Sequence, residues 1–272
     1  QSLRTSLLLA IASLSLLLVI SVGQFTVKAW QSYSDAKQVQ SFDAGANRFI
    51  AGVFEILMER LYTNNALQAP EAVDAATLRE IQSRRKSVAE NFDPGLTILK
   101  QQNFPNRKAT LDALDAAVKK ANDYRNQADR AITLPRDQRD ETLRKTYIPV
   151  ITDSVNAALK VWFAALHDSA SADARLATLA AIKEIGWRMR DVSGGERSNV
   201  SAAIAAGTPI PADRLSINAG TRAQVDVMWG QLTNLIAGSN AHPAILKAME
   251  DAQREYFGAF RKLSEDMRAA GE

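Results

Sequence analysis

The chain has 272 residues, no cysteine, two histidines and a net charge of +3. Zinc, haem and iron–sulfur centres need more cysteine or histidine ligands than this, and the basic residues form no stripe of the kind that binds nucleic acid. The sequence also lacks a nucleophile elbow, a phosphate-binding glycine loop, a dinucleotide fingerprint and a paired-histidine helix. We therefore expect a protein that is not an enzyme and that binds no cofactor, metal ion or nucleic acid.

The first predicted element is a membrane helix. Residues 5–27 carry no charge, and a basic residue flanks the run on each side. At about 1.5 Å per residue, this run is long enough to cross the hydrocarbon core of a bilayer, which is about 30 Å thick. We expect residues 1–28 to form an uncleaved anchor with a single span, followed by one domain over 29–272. A cleaved signal peptide is the alternative, since residues 21–23 resemble a cleavage site.

From residue 30 onward, apolar residues recur at three- and four-residue spacing, which is typical of amphipathic helices. Segments with proline or glycine interrupt this pattern and indicate helix ends, and no alternating pattern is long enough to predict a strand. The predicted helices span residues 30–68, 72–103, 106–132, 137–168, 171–206, 211–237 and 243–270. Short connections favour antiparallel neighbours, so the sequence predicts an all-α fold in which the transmembrane helix continues into an elongated antiparallel helical bundle.

Two parts of the chain resemble each other at a spacing of 137 residues. The pair Glu59-Arg60 in LMERLYTNNAL aligns with the pair Glu196-Arg197 in GGERSNVSAAI, and in each copy another arginine follows 25 residues after the first. We infer that the bundle is built from two similar helical hairpins.

Helical spacing turns the second arginine of each copy toward the predicted core. Arg85 shares a helix face with Ile81 and Phe92, and Arg222 shares the equivalent face with Val225. A guanidinium cannot lose its charge on burial, and leaving it unpaired in a core costs several kcal/mol. An anionic group must therefore meet each of these arginines.

Two explanations stay open for that anionic group. Either Glu59 and Glu196 pair with the arginines and fix the register of the helices, or the arginines hold a small anionic ligand, a carboxylate or a nitrate-like oxyanion, through bidentate hydrogen bonds. The candidate ligand-binding residues are Arg60, Arg85, Arg190, Arg197 and Arg222, and the residues that orient the ligand or form an internal ion pair are Glu59 and Glu196.

These features together resemble the extracytoplasmic sensor region of bacterial methyl-accepting chemotaxis receptors, and more narrowly its all-helical, nitrate/nitrite-sensor-like class. The segments that carry the resemblance are LMERLYTNNAL, SRRKSVAENF, WRMRDVSGGERSNVSAAIAAG and TRAQVDVMW. In that family, arginines that face the bundle interior bind the small anion. The resemblance implies this role for Arg60, Arg85, Arg197 and Arg222, with Arg190 as an auxiliary residue.

The expected function is therefore that of a ligand-sensing extracytoplasmic domain of a transmembrane chemoreceptor or a related signal-transduction protein. Ligand binding to the arginines would shift helices and carry the signal to the membrane. We expect a homodimer in a bacterial inner membrane, with a single N-terminal span and the bulk of the chain in the periplasm. The alternative is a membrane-anchored structural or partner-binding helical bundle with no small-molecule ligand.

Overall fold

The computed structural model of the protein describes residues 3–170, 173–206 and 209–269. Side chains are described from residue 24 onward, apart from several positions between 28 and 41 and between 201 and 206. Over this part of the chain every regular element is helical, and no strand occurs. The prediction of an all-α fold is confirmed.

Eight α-helices follow one another along the described residues: α1 (Leu3–Gln68), α2 (Ala75–Leu99), α3 (Arg107–Ala131), α4 (Glu141–Ala170), α5 (Ala174–Ala206), α6 (Ala212–Ala237), α7 (Pro243–Ala252) and α8 (Arg261–Ala269). A 3-10 turn, Arg136–Gln138, precedes α4. A π-helical segment, Gln253–Phe260, joins α7 directly to α8. The predicted helix 243–270 is therefore a continuous rod whose middle is π-helical, a detail that amphipathic spacing does not reveal.

The chain folds as two compact units, Gln1–Ser169 and Ala170–Glu272. Each unit contains one of the two predicted hairpins, α1 with α2 in the first and α5 with α6 in the second. The first unit adds α3 and α4, and the second adds the rod formed by α7, the π-helical segment and α8. Each unit is a helical bundle in its own right.

Helix α1 is a single helix of 66 residues, and no break marks the predicted boundary between residues 28 and 29. Of the predicted anchor, 1–28, only residues 24–27 have described side chains, so this prediction lies largely outside the described residues. Among the helical residues that were described, we find no apolar stretch long enough to cross a membrane.

The start of α2 is set by a side-chain cap. Asp74 has extended backbone geometry, and its Oδ1 atom accepts hydrogen bonds from the backbone N–H groups of Ala76 and Thr77, both at 2.8 Å. These bonds satisfy two of the amides that have no partner within a helix. The predicted start at residue 72 was three residues too early for this reason.

Helix α2 continues through Pro94 to Leu99. Proline has no N–H group, so the carbonyl oxygen of Glu90, four residues earlier, loses its usual helical donor. The Nη2 atom of Arg48 in α1 donates to this oxygen at 3.4 Å. A side chain from the neighbouring helix therefore replaces the missing donor, and α2 stays helical across the proline.

Helices α1 and α2 pack with their backbones in close contact. A Cβ atom on Gly52 would lie 2.6 Å from the backbone nitrogen of Phe92, and one on Gly95 would lie 2.5 Å from the backbone nitrogen of Phe49. Only glycine fits at both positions, because Cβ atoms do not approach other heavy atoms so closely. The contact also brings the buried rings of Phe49 and Phe92 together, with their centroids 4.7 Å apart.

Helices α1 and α4 of the first unit run antiparallel. Arg60 of α1 contacts Thr152 of α4, and Gln68, two turns farther along α1, contacts the earlier residue Arg144 of α4. Contacts between residues that rise in number on one helix and fall on the other show that the two helices run in opposite directions. The predicted antiparallel packing is thus observed for this pair of helices.

Arg139 fastens the ends of α1 and α3 to the segment that precedes α4. Its side chain is buried, and it donates to backbone carbonyl oxygens at 2.6 to 3.2 Å. The accepting residues are Ala66, Leu67, Ala69, Glu71, Ala131 and Leu134. Burial, and then the charges of Arg144 and Arg136, lower the pKa of Arg139. Helix C-termini attract such a cation because their last carbonyl groups have no intrahelical donor.

Candidate functional site

A buried charged cluster in the first unit is centred on Glu59 of α1, which has no exposed surface. Its Oε1 atom accepts hydrogen bonds from Nε of Arg85 at 2.7 Å and from Nε of Arg125 at 2.9 Å. Its Oε2 atom accepts from Nη2 of Arg125. Arginines from two other helices, α2 and α3, therefore converge on one carboxylate of α1.

Arg85 holds a second carboxylate with the outer end of its guanidinium. Its Nη1 and Nη2 atoms donate to Oδ2 and Oδ1 of Asp129 at 2.7 and 2.8 Å, a bidentate arrangement. The Asp129 side chain on α3 is 41% exposed, in contrast to the fully buried Glu59. Burial lowers the pKa of Arg85, but the hydrogen bonds to Asp129 and the charge of Glu59 outweigh it and raise the pKa.

Helix α4 contributes two further residues near this cluster. Tyr147 has no exposed surface, and burial, followed by the negative charge of Glu59, raises its pKa to about 12. Thr152 accepts a hydrogen bond through Oγ1 from Nη1 of Arg60 at 2.6 Å. The predicted ligand-binding residue Arg60 is thus engaged with α4.

A cavity of about 310 Å³ adjoins the charged cluster and is lined by residues of α1, α2, α3 and α4. Arg85, Arg125 and Asn122 provide polar groups in its wall. Apolar side chains supply much of the remaining wall, and Asp93 lines the cavity two turns beyond Arg85 along α2. Two larger grooves in the second unit contain none of the predicted site residues in their walls.

The second unit repeats the buried glutamate at Glu196 of α5, which also has no exposed surface. Its Oε1 atom accepts from Nε of Arg222 in α6 at 2.6 Å and from Oγ of Ser264 at 2.9 Å. The hydroxyl group of Tyr256 donates to Oε2 at 3.4 Å. The Glu–Arg contact uses the same atoms as in the first unit, but two hydroxyl groups stand where the first unit has its second arginine.

Arg222 also contacts an exposed acid on α8, just as Arg85 contacts Asp129 on α3. Its Nη1 atom donates to Oε1 of Glu265 at 3.2 Å, and the side chain of Glu265 is 58% exposed. Because this contact uses one nitrogen, it is a looser link than the bidentate pair between Arg85 and Asp129.

Arg261 precedes Glu265 by four residues, just as Arg125 precedes Asp129. Its Nη2 atom lies 2.7 Å from Oδ1 of Asp226, and its guanidinium lies 4.6 Å from the centroid of a nearby phenylalanine ring. The corresponding arginine of the second unit is therefore held by a different acid, and among the described residues Arg222 is the cation that contacts Glu196.

The remaining predicted arginines of the second unit are Arg190 and Arg197, both on α5. The guanidinium of Arg190 lies 5.3 Å from the centroid of the Trp187 ring. Arg197 is exposed, so the inward orientation expected for it is not observed. Successive residues of a helix point about 100° apart, and Glu196, its neighbour, takes the interior direction.

Sequence reasoning missed several residues that complete the clusters. Arg125 carried a usable signal, because it lies at helical spacing from Leu114, Ala121 and Ala128 on the apolar face of α3. Asp129, Tyr256 and Glu265 are polar residues on partly solvated faces, and Ser264 is a small buried polar residue, so none of them carried such a signal.

Comparison with known proteins yields no relative: no family model, no curated protein and no solved structure matches this chain. Three features of the molecule therefore bear on its function: the geometry of the two buried glutamates, the cavity beside Glu59 and the course of α1.

Proposed function

We propose that this chain is the ligand-sensing region of a membrane-anchored signal-transduction protein. The observation that carries the proposal is the course of α1, which includes both the uncharged run 5–27 and the buried carboxylate of Glu59. Arginines of α2 and α3 bind that carboxylate, so a shift of either helix acts directly on α1. A continuous helix can carry such a shift toward a membrane.

The cavity beside Glu59 is the proposed ligand site, and its ligand is a small carboxylate or a nitrate-like anion. In the described contacts, Arg85 uses three of its five N–H groups, and so does Arg125. Both guanidinium groups line the cavity and retain donors for a guest. Its volume of about 310 Å³ is at the lower end of the range of about 300–1,000 Å³ in which proteins bind small molecules.

Exposed aromatic residues on α1 support the membrane anchor. Phe25, Trp30 and Tyr33 are 75%, 73% and 64% exposed, and they directly follow or overlap the end of the uncharged run. Tryptophan and tyrosine are enriched where a helix leaves a bilayer, because one end of the ring is apolar and the other is polar. In this proposal residues 1–28 anchor the chain, residues 29–272 lie in the periplasm of a bacterium, and the receptor is a homodimeric chemoreceptor or a related transducer.

The test uses the full chain in lipid nanodiscs and isothermal titration calorimetry. The titrants are nitrate, nitrite, acetate, propionate and succinate. We expect saturable heat from at least one of them and its loss in Arg85→Gln. Arg84→Gln is the matched control and should bind normally, because Arg84 bonds to Glu55 and Glu80. Absence of heat from every anion, or unchanged binding in a folded Arg85→Gln variant, overturns the proposal.

A second candidate function is a membrane-anchored scaffold or partner-binding bundle with no small ligand. It is favoured by one observation, that the chain's own acids already bind Arg85 and Arg222. For this candidate, Glu196→Gln should cost about 3–5 kcal/mol, the scale of a broken buried ion pair, and no anion should raise the melting temperature. A sensor is instead stabilised by its ligand through mass action.

A further inference from the structure

Asp129 makes with Arg85 the contact that a free carboxylate would make. Its two oxygens accept from Nη1 and Nη2 at 2.7 and 2.8 Å, the two parallel bonds of a bidentate guanidinium–carboxylate pair. Its side chain is 41% exposed and can therefore be hydrated again if it leaves. Glu59, on the other side of the same guanidinium, has no exposed surface and no access to water.

The charges of the cluster balance only while one carboxylate occupies that position. Arg85 and Arg125 supply two positive charges, and Glu59 and Asp129 supply two negative ones. A third carboxylate added beside the buried Glu59 would give the cluster a net charge of −1, which is costly in a poorly hydrated site. The free-energy cost of binding a carboxylate ligand is therefore lowest if the ligand replaces an acid of the cluster. Asp129 is that acid, because its displaced side chain can be hydrated.

We propose that a monocarboxylate entering the cavity exchanges with Asp129 on Arg85 and thereby releases α3 from α2 at this point. The exchange rests on the proposed function, since it assigns the ligand class and the signal to the same cavity. Ile56, Val88 and Phe92 line the cavity and suit a short apolar chain. Asp93 also lines it, and its charge disfavours a second carboxylate on the ligand.

The release is local, because other contacts of α3 stay in place. In its first half, α3 remains linked to Lys100, the residue that caps the C-terminus of α2, because Oδ1 of Asp115 lies 3.6 Å from Nζ of Lys100. At the level of the cavity, α3 also remains attached to α1 through the pair between Arg125 and Glu59. Helix α3 can therefore move away from α2 at Asp129 while it pulls on α1. The signal passes to the long helix through the buried carboxylate.

Affinity measurements on the full chain in nanodiscs test the exchange, with propionate and butyrate as the probes. Asp129→Asn removes the competing charge, so we expect it to bind both acids about tenfold more tightly than the parent chain. Asp123→Asn makes the same charge change at an exposed position of α3 and should bind like the parent. Affinity of Asp129→Asn within twofold of the parent, or weaker, overturns the exchange. So does tighter binding of succinate than of propionate.

A distance measurement tests the movement itself, and the absence of cysteine allows clean labelling. Nitroxides on Lys86→Cys in α2 and Gln127→Cys in α3 report the separation near Asp129 by double electron–electron resonance. Saturating butyrate should shift the distance distribution to longer values, and Asp129→Asn should show this shift without ligand. An unchanged distribution in both cases overturns the release of α3.

The outcomes separate this inference from the proposed function. If an anion binds the parent chain but Asp129→Asn gains no affinity, the exchange is wrong and the sensor stands. If no anion binds either protein, both are wrong. Butyrate binding to Asp129→Asn alone overturns the exchange as well, because it shows that the ligand does not displace the internal carboxylate of the parent chain.

Discussion

Arg85 donates from Nε to Oε1 of Glu59 at 2.7 Å, which joins a partly exposed guanidinium to a carboxylate with no exposed surface. The formation of such a pair adds little to stability, because both charges must first leave water. Removing one partner of the pair lowers stability far more, because the other charge then stays buried without a partner. The pair therefore constrains which substitutions the first unit tolerates.

The first prediction concerns the carboxylate itself. Glu59→Gln should lower the free energy of unfolding by about 3–5 kcal/mol, because Arg85 and Arg125 both lose the charge that they bind. Glu55→Gln, one turn earlier on α1, should cost about 1 kcal/mol or less, since Glu55 pairs with Arg84 where water reaches both side chains. Urea denaturation followed by circular dichroism measures both values. Equal costs would contradict the role assigned to the buried pair.

The second prediction concerns Arg139 and the helix ends that it joins. Arg139→Lys should cost about 2–4 kcal/mol, because an ammonium group has three donors and cannot reach carbonyl oxygens spread over two helix ends. Arg136→Lys is the control, since this side chain is exposed three residues earlier, and it should stay within about 0.5 kcal/mol of the parent. Thermal denaturation compares them. Equal melting temperatures for the two variants would contradict this role of Arg139.

The third prediction tests the close contact of α1 with α2. Gly95→Ala places a methyl group 2.5 Å from the backbone nitrogen of Phe49, so the helices must separate, at a cost of about 1–3 kcal/mol or more. Gly220→Ala adds the same methyl group at an exposed position of α6 where it meets nothing within 4 Å. There it should stabilise the protein by about 0.5–1 kcal/mol through helix propensity. Equilibrium unfolding distinguishes the two signs, and a stabilising Gly95→Ala would refute the close contact.

The fourth prediction is a pH dependence that arises from Tyr147. Its pKa is raised to about 12 in the folded protein, against about 10 in an unfolded chain, so the folded state binds the proton more tightly. This contribution is complete below pH 10 and is lost as the pH rises from 10 to 12. A difference of two pKa units corresponds to about 3 kcal/mol.

Tyr147→Phe lacks the ionisable group and should lose less stability than the parent chain between pH 9 and pH 12. Tyr33→Phe changes an exposed tyrosine of α1 and should keep the pH profile of the parent. The free energy of unfolding measured by urea titration at several pH values gives both profiles. Parallel profiles for the parent chain and Tyr147→Phe would rule out this source of alkaline sensitivity.

The helices themselves were largely predictable, because they carry apolar residues at helical spacing and most of the connections between them contain proline or glycine. The errors have local causes. Helix α4 begins at Glu141 and not at the predicted residue 137, since a 3-10 turn comes first and Oδ1 of Asp140 accepts from the amide of Leu143 at 2.9 Å. Such a cap depends on one side-chain hydrogen bond, which periodicity does not encode.

The candidate site was only partly predictable. The contacts of Arg85 and Arg222 with buried glutamates follow from their place on apolar helix faces, and the same reasoning applied to α3 finds Arg125. Asp129 could not be found in this way, because an exposed acid on a helix looks the same whether or not an arginine binds it. Arg139 gave no pattern either, since its partners are backbone carbonyl groups.

The two buried glutamates differ in the partner that the third helical element of each unit provides. In the first unit α3 provides an arginine, and in the second unit the rod formed by α7, the π-helical segment and α8 provides two hydroxyl groups. The part that the two units share is thus the Glu–Arg contact between their first two helices, and the part that differs is confined to the third helical element. Substitutions in that one element can therefore change the chemistry around one buried glutamate while the Glu–Arg contact and the other unit keep theirs.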